Sequence, residues 1–249
     1  MVVNGLRGAR TLLGVAAAFL VAASSAGAAP VVTVDISSVG IYDVYHIEGE
    51  ATPNPDGTLG LSGIGYGTNF NCDWSITVNT DPSISGTFNL TNLSTSTQTF
   101  ILSVTLPIAP LSAPTRMGGF FGDVTYTDAN SDSSVTLATV AANPFYRALI
   151  DALGVQDLGS FTVTAFGGPG VFGTVSRQAF GEPIPSATGP AANATIGIRT
   201  QFSLTGGDRV AIPVFFQVEA GVPTPEPHAA LLIGLGLAGL AAARKRHGA

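Results

Sequence analysis

The sequence predicts a mainly β protein, an antiparallel β-sandwich or jelly-roll-like domain with one short helix. Three observations lead there. Ten runs between residues 31 and 218 alternate apolar and polar side chains, the period expected of half-buried strands. Turn residues separate those runs, with almost no helical periodicity between them, which favours antiparallel pairing. Two apolar segments at the chain ends predict a signal helix and a transmembrane helix outside the β region.

The runs follow in order. Residues 31–37 set Val32, Val34 and Ile36 against Thr33, Asp35 and Ser37. Residues 72–80 put Trp74, Ile76 and Val78 on one face and Asp73, Ser75, Thr77 and Asn79 on the other. Residues 86–93 carry Phe88 and Leu90, and residues 99–108 carry Phe100, Leu102, Val104 and Leu106. Further strands are expected at 120–126, 134–140, 161–166, 171–179, 195–204 and 209–218. Asp56-Gly57, Asp81-Pro82, Gly167-Gly168-Pro169-Gly170 and Gly206-Gly207-Asp208 supply turns.

One segment departs from this pattern. Asn143 is a good helix cap and Pro144 a good first helical residue. Phe145, Leu149, Ala152 and Leu153 recur at helical spacing before Gly154. A short helix over 144–153, covering one end of the domain, is therefore expected. Residues 181–193 hold three prolines among small side chains and read as a loose loop.

The chain ends specify a destination. Arg7 and Arg10 precede an apolar stretch from Thr11 to Ala23, and Ala26-Gly27-Ala28 follows. Small residues at Ala26 and Ala28 suit signal peptidase cleavage, making residues 1–28 a signal peptide. At the other end Pro225-Glu226-Pro227 precedes fifteen apolar residues, 229–243, and then Arg244-Lys245-Arg246. Fifteen helical residues span about 22 Å, short of the ~30 Å hydrocarbon core. The run is nevertheless apolar all round, which leaves no face for water. The basic triplet can reach the head groups and stops translocation.

These three parts, in this order at the C-terminus and paired with an N-terminal signal, resemble the PEP-CTERM sorting signal of bacteria with an outer membrane. Thr224 departs from the Val-Pro-Glu-Pro form common in that family. The resemblance covers residues 223–249. It implies recognition at Pro225, Glu226 and Pro227 by an exosortase, a membrane-embedded transpeptidase-like enzyme. It further implies tethering to the inner membrane, removal of the tail, and delivery to the cell surface or extracellular exopolysaccharide. Residues 73–107 also resemble stretches of other exported PEP-CTERM β proteins, which supports a β-sandwich for residues 29–222 and brings no active site.

Composition narrows the function of that region. Residues 29–222 hold five arginines and no lysine against fifteen acidic side chains, a net charge near −10. No basic patch is available for nucleic acid. Cys72 is the one cysteine, so no intramolecular disulfide forms, and its place beside Trp74 suits a small buried hydrophobe. His46 is the one histidine of the region. A serine-based triad would have to use it. His46, Glu48 and Glu50 would share a strand face, either as metal ligands or as the charged face of an edge strand.

Asp128, Asn130 and Asp132 have the opening spacing of a calcium loop. Ser133 replaces the turn glycine and Thr139 the bidentate glutamate, which favours a polar hairpin loop. Tyr42, Tyr45, Tyr66 and Tyr126 are candidates to stack on sugars, or else core aromatics. The reading is an exported surface or matrix protein that is structural or adhesive, needs no cofactor and is not an enzyme, with exopolysaccharide as a candidate partner. Alternatives are a carbohydrate- or calcium-binding module and a hydrolase of extracellular polymer.

Overall fold

The structure is a computed structural model that describes residues 30–39, 43–79 and 81–221. The predicted signal segment with Ala26 and Ala28, the motif Pro225-Glu226-Pro227, the apolar run 229–243, and Arg244-Lys245-Arg246 lie outside the described residues.

Among the described residues the chain forms eighteen strands and no helix. In chain order they are β1 (Val31–Ser38), β2 (Asp43–Glu50), β3 (Thr52–Pro53), β4 (Leu59–Tyr66), β5 (Phe70–Asn79), β6 (Ser83–Asn92), β7 (Gln98–Pro107), β8 (Thr115–Phe121) and β9 (Val124–Thr127). Then come β10 (Ser134–Ala138), β11 (Tyr146–Ile150), β12 (Leu153–Leu158), β13 (Thr162–Phe166), β14 (Phe172–Val175), β15 (Gln178–Phe180), β16 (Ala187–Gly189), β17 (Thr195–Leu204) and β18 (Arg209–Ala220).

They make two antiparallel sheets. The first runs β12-β11-β17-β7-β1-β2, with β10 on β17 and β13 on β10. The second runs β14-β9-β18-β6-β5-β4-β3, with β8 also on β18 and β15 and β16 on β8. Their inward faces share one apolar core, because alternate residues of each strand point the same way. Val32, Val34 and Ile36 of β1, Trp74, Ile76 and Val78 of β5, and Phe100, Leu102 and Val104 of β7 are all buried in it. Phe70 of β5 meets Phe100 of β7 edge-on at 6.3 Å between ring centres, an arrangement favoured by the ring quadrupoles. Burial of this kind, without disulfides, is what holds the two sheets together.

Four expectations are corrected. The helix predicted over 144–153 is the hairpin β11–β12. Tyr146, Ala148 and Ile150 point into the core while Arg147 and Leu149 alternate outward. Asp151 and Ala152 take φ of 50° and 65°, the left-handed pair that closes a two-residue hairpin with the twist of its strands. Pairing with β17 from Tyr146↔Thr200 to Ile150↔Ile196 outweighs the helical spacing of Phe145, Leu149 and Leu153.

Residues 120–126 and 171–179, each expected as one strand, are each two. β8 and β9 line up along the same edge of β18 and part opposite Pro213, which has no N–H to give. Gly122 N–H donates to the Pro213 carbonyl instead, at 2.8 Å. The break is copied in the next strands, since β14 pairs with β9 and β15 with β8. Finally, residues 181–193 are not a free loop. They contain β16, paired with β8, and Thr115 Oγ1 donates to the Pro190 carbonyl at 2.7 Å.

Candidate functional site

The described chain leaves the body from a defined place. β17 and β18 are joined by residues 205–208, so they run in opposite directions. β18 therefore ends at the pole where β17 begins. Thr195 at the start of β17 pairs with Pro107 at the end of β7, and Thr33 near the start of β1 pairs with Thr105. Both ends of the described body, near Pro30 and Gly221, thus lie at one pole. Ala220 pairs with Thr115, and Gly221 N–H donates to the Pro114 carbonyl at 3.0 Å. The tail that follows starts from a strand held on both sides by β6 and β8.

The edge-strand reading of His46, Glu48 and Glu50 agrees with β2, which closes one edge of the first sheet. His46 and Glu48 share the outer face, and His46 stands in register with Asp35 of β1. Its Nδ1–H donates to Asp35 Oδ1 at 2.5 Å, and Nε2 lies 3.6 Å from Glu48 Oε1. The Asp35 carboxylate, with a smaller contribution from Glu48, raises the imidazole pKa. Both ring nitrogens thus face carboxylates, and among the described residues no hydroxyl or thiol hydrogen-bonds to His46. Asp35–His46 is a pair with no nucleophile placed on it.

Asp128, Asn130 and Asp132 sit at the opposite pole, between β9 of one sheet and β10 of the other, so this is a crossover and not a hairpin loop. Asp128 is buried, and its two oxygens accept from the backbone N–H groups of Ser131, Asp132, Ser133 and Gly170 at 2.7–3.3 Å. Asn130 Nδ2 donates to Asp132 Oδ2 at 3.1 Å and to the Gly206 carbonyl at 2.7 Å. Bonds from Asn130 and Ser134 lower the Asp132 pKa. Asp208 is fully buried beside them, bonded to Thr205 Oγ1, and burial raises its pKa. These carboxylates order their own loop. Among the described residues no three His, Cys, Asp or Glu side chains are arranged to hold a metal ion.

Cys72 is fully buried, and desolvation pushes its thiol up to about 12, which removes the thiolate at neutral pH. Of the four tyrosines, Tyr42 lies outside the described residues, Tyr45 packs on the core, Tyr126 is buried and Tyr66 is exposed. Among the described residues Tyr45, Tyr66 and Tyr126 form no common platform.

Sequence reasoning misses one set of residues. A single transverse row of the first sheet carries His46, Asp35, Ser103, Arg199, Arg147 and Asp157, contributed in turn by β2, β1, β7, β17, β11 and β12. Arg147 Nε and Nη2 donate to the two Asp157 oxygens at 2.7 and 3.0 Å. Arg199 lies directly across from Arg147. No local spacing signals this, since the two arginines are far apart in sequence and only strand register joins them.

A family model described as the PEP-CTERM protein-sorting motif matches residues 223–246. No curated protein matches the chain.

Proposed function

We propose that this exported protein, sorted through the PEP-CTERM motif of residues 223–246, is a structural or adhesive, non-catalytic β-sandwich of the cell surface or extracellular matrix. The motif match carries the reading, because it covers the tripeptide, the apolar run and the basic triplet together. An exosortase is the processing partner that such a motif implies. The inner membrane holds the chain through residues 229–243 until cleavage near Pro225–Pro227, and the signal segment 1–28 is removed at export.

The body supports this role in two ways. Its entry and exit share one pole, so a body tethered there presents the opposite pole and both sheet faces outward. Among the described residues His46 lies between two carboxylates with no hydroxyl or thiol bonded to it, and Cys72 sits in the core, which fits a non-catalytic reading. Replacing Pro225, Glu226 and Pro227 together by alanine in the native cells tests the assignment. The variant is expected to stay full-length in the membrane fraction while the parent protein reaches the surface. Identical processing and location of the two would reject it.

A further inference from the structure

We propose that the notch between β11 and β17 is a carboxylate-binding subsite for an acidic polysaccharide, with the Arg199 guanidinium as its principal ligand. It deepens the matrix reading above by naming the ligand class, and it rests on the body being displayed outside the cell.

The charge arrangement is the first observation. Arg147 and Arg199 are two of only five arginines in the described chain, which has no lysine. They stand directly opposite one another on neighbouring strands, a placement that like charges disfavour. Asp157 neutralises Arg147 through both of its oxygens. Arg199 has no carboxylate within ion-pair distance among the described residues, and its Nη2 donates only to Gln201 Oε1, at 3.2 Å. Its cross-strand neighbour on the other side is Ser103, and Asp35 lies one strand further, roughly 10 Å away at ~4.8 Å per strand. A guanidinium in this position keeps unused donors in the planar fork that fits a carboxylate.

The second observation is shape. Asn143, Pro144, Arg147, Arg199 and Gln201 line the notch. Two open clefts flank it. One, about 420 Å³, is lined by residues 139–144 and 157–160. The other, about 390 Å³, is lined by Arg147 and residues 154–157. Both lie in the range of small-ligand sites, about 300–1,000 Å³. The notch shares Asn143 and Pro144 with the first cleft and Arg147 with the second, and the two clefts share Asp157, so they run together along the β11–β12 margin. The notch itself is small, about 10 Å³, so a carboxylate would cap the guanidinium from outside while a polymer chain rests in the clefts on either side.

Charge density selects among polymers. The site offers one uncompensated cation on a body of net charge near −10. Closely spaced sulfates or phosphates would meet more repulsion than attraction. One carboxylate per sugar unit, as in a polyuronate, carries a lower charge density and so meets less repulsion from the acidic body, while still offering a planar carboxylate to the guanidinium.

The test uses the full chain in detergent micelles, with polygalacturonate, dextran sulfate and neutral dextran as immobilised probes. Polygalacturonate is expected to bind at least about tenfold tighter than dextran, in keeping with one charge-assisted hydrogen-bonded pair. Arg199→Gln should lose about that factor. Arg209→Gln, which makes the same charge change on the second sheet, should stay within about twofold. Arg199→Gln also relieves the repulsion with Arg147, so its Tm should match or exceed that of the parent, which separates loss of binding from loss of fold. Equal affinity for dextran, equal losses in the two variants, or a preference for dextran sulfate would overturn the proposal. Each of those results leaves the sorting assignment standing, since that is read from the chain's termini and location.

Discussion

The phenolic hydroxyl of Tyr146, on β11 of the first sheet, donates a 2.8 Å hydrogen bond to the backbone carbonyl of Phe215, on β18 of the second. Tyr146 is fully buried, and burial drives its phenol pKa well up. The bond therefore joins the two sheets through their apolar interior. Tyr146→Phe keeps the ring and removes the donor, leaving a carbonyl short of a partner. The expected cost is about 1–2 kcal/mol, seen as a lower urea midpoint with an unchanged slope. No shift in midpoint would mean that the hydroxyl adds nothing to sheet association.

Asp151 ties the β11–β12 turn to the start of β17. Its carboxylate accepts from the N–H groups of Asn193, Ala194 and Thr195 at 2.8–3.0 Å and from Asn193 Nδ2 at 2.9 Å. The backbone bonds, led by Thr195, lower its pKa from 3.8 to about 2. A depressed carboxylate stabilises the fold above its unfolded pKa, and the contribution fades as pH falls through the folded value. Thermal unfolding should therefore show an acid-side loss between about pH 4 and pH 2 that is smaller in Asp151→Ala. Parallel Tm–pH curves for the two proteins would contradict this.

His46 gives the opposite sign. Asp35 first, and Glu48 second, raise its pKa above 6.5. Its contribution is fully present below the unfolded value and is lost as pH rises through the folded one. The ring is exposed, so the stability effect is small and the direct readout is the imidazole titration by NMR. Its midpoint should lie above 6.5 and move down in Asp35→Asn. An unmoved midpoint would show that the pair does not persist in solution.

Cys72 should be silent in the native protein. With the thiol buried and pushed up to about 12, a disulfide reagent at pH 8 should react only after unfolding. The reaction rate should follow added denaturant. Prompt labelling of the folded chain would mean that the β4–β5–β6 layer opens readily.

Strands whose two sides differ strongly are legible in the amino-acid pattern alone. β17 spans the alternating run of residues 195–204, β1, β5, β7 and β18 lie within two residues of theirs, and β6 starts three residues early. β4 is hidden, because Gly60, Gly63 and Gly65 dilute its alternation. Gly63 is there for packing, since a Cβ would sit 2.8 Å from the Trp74 ring. The β11–β12 hairpin mimics a helix because its apolar residues also fit a helical spacing, and the left-handed pair Asp151-Ala152 contains no glycine to announce the turn. The sorting residues are readable because they are contiguous and act through order along the chain. Arg147 and Arg199 are not, because register alone brings them together.

Intact mass and terminal sequencing of the protein recovered from its native cells test the central claim most directly. A surface-associated or released species that begins near residue 29 and ends near Pro225–Pro227 is the predicted result. A full-length chain in the cytoplasm, with both termini uncut, would contradict it.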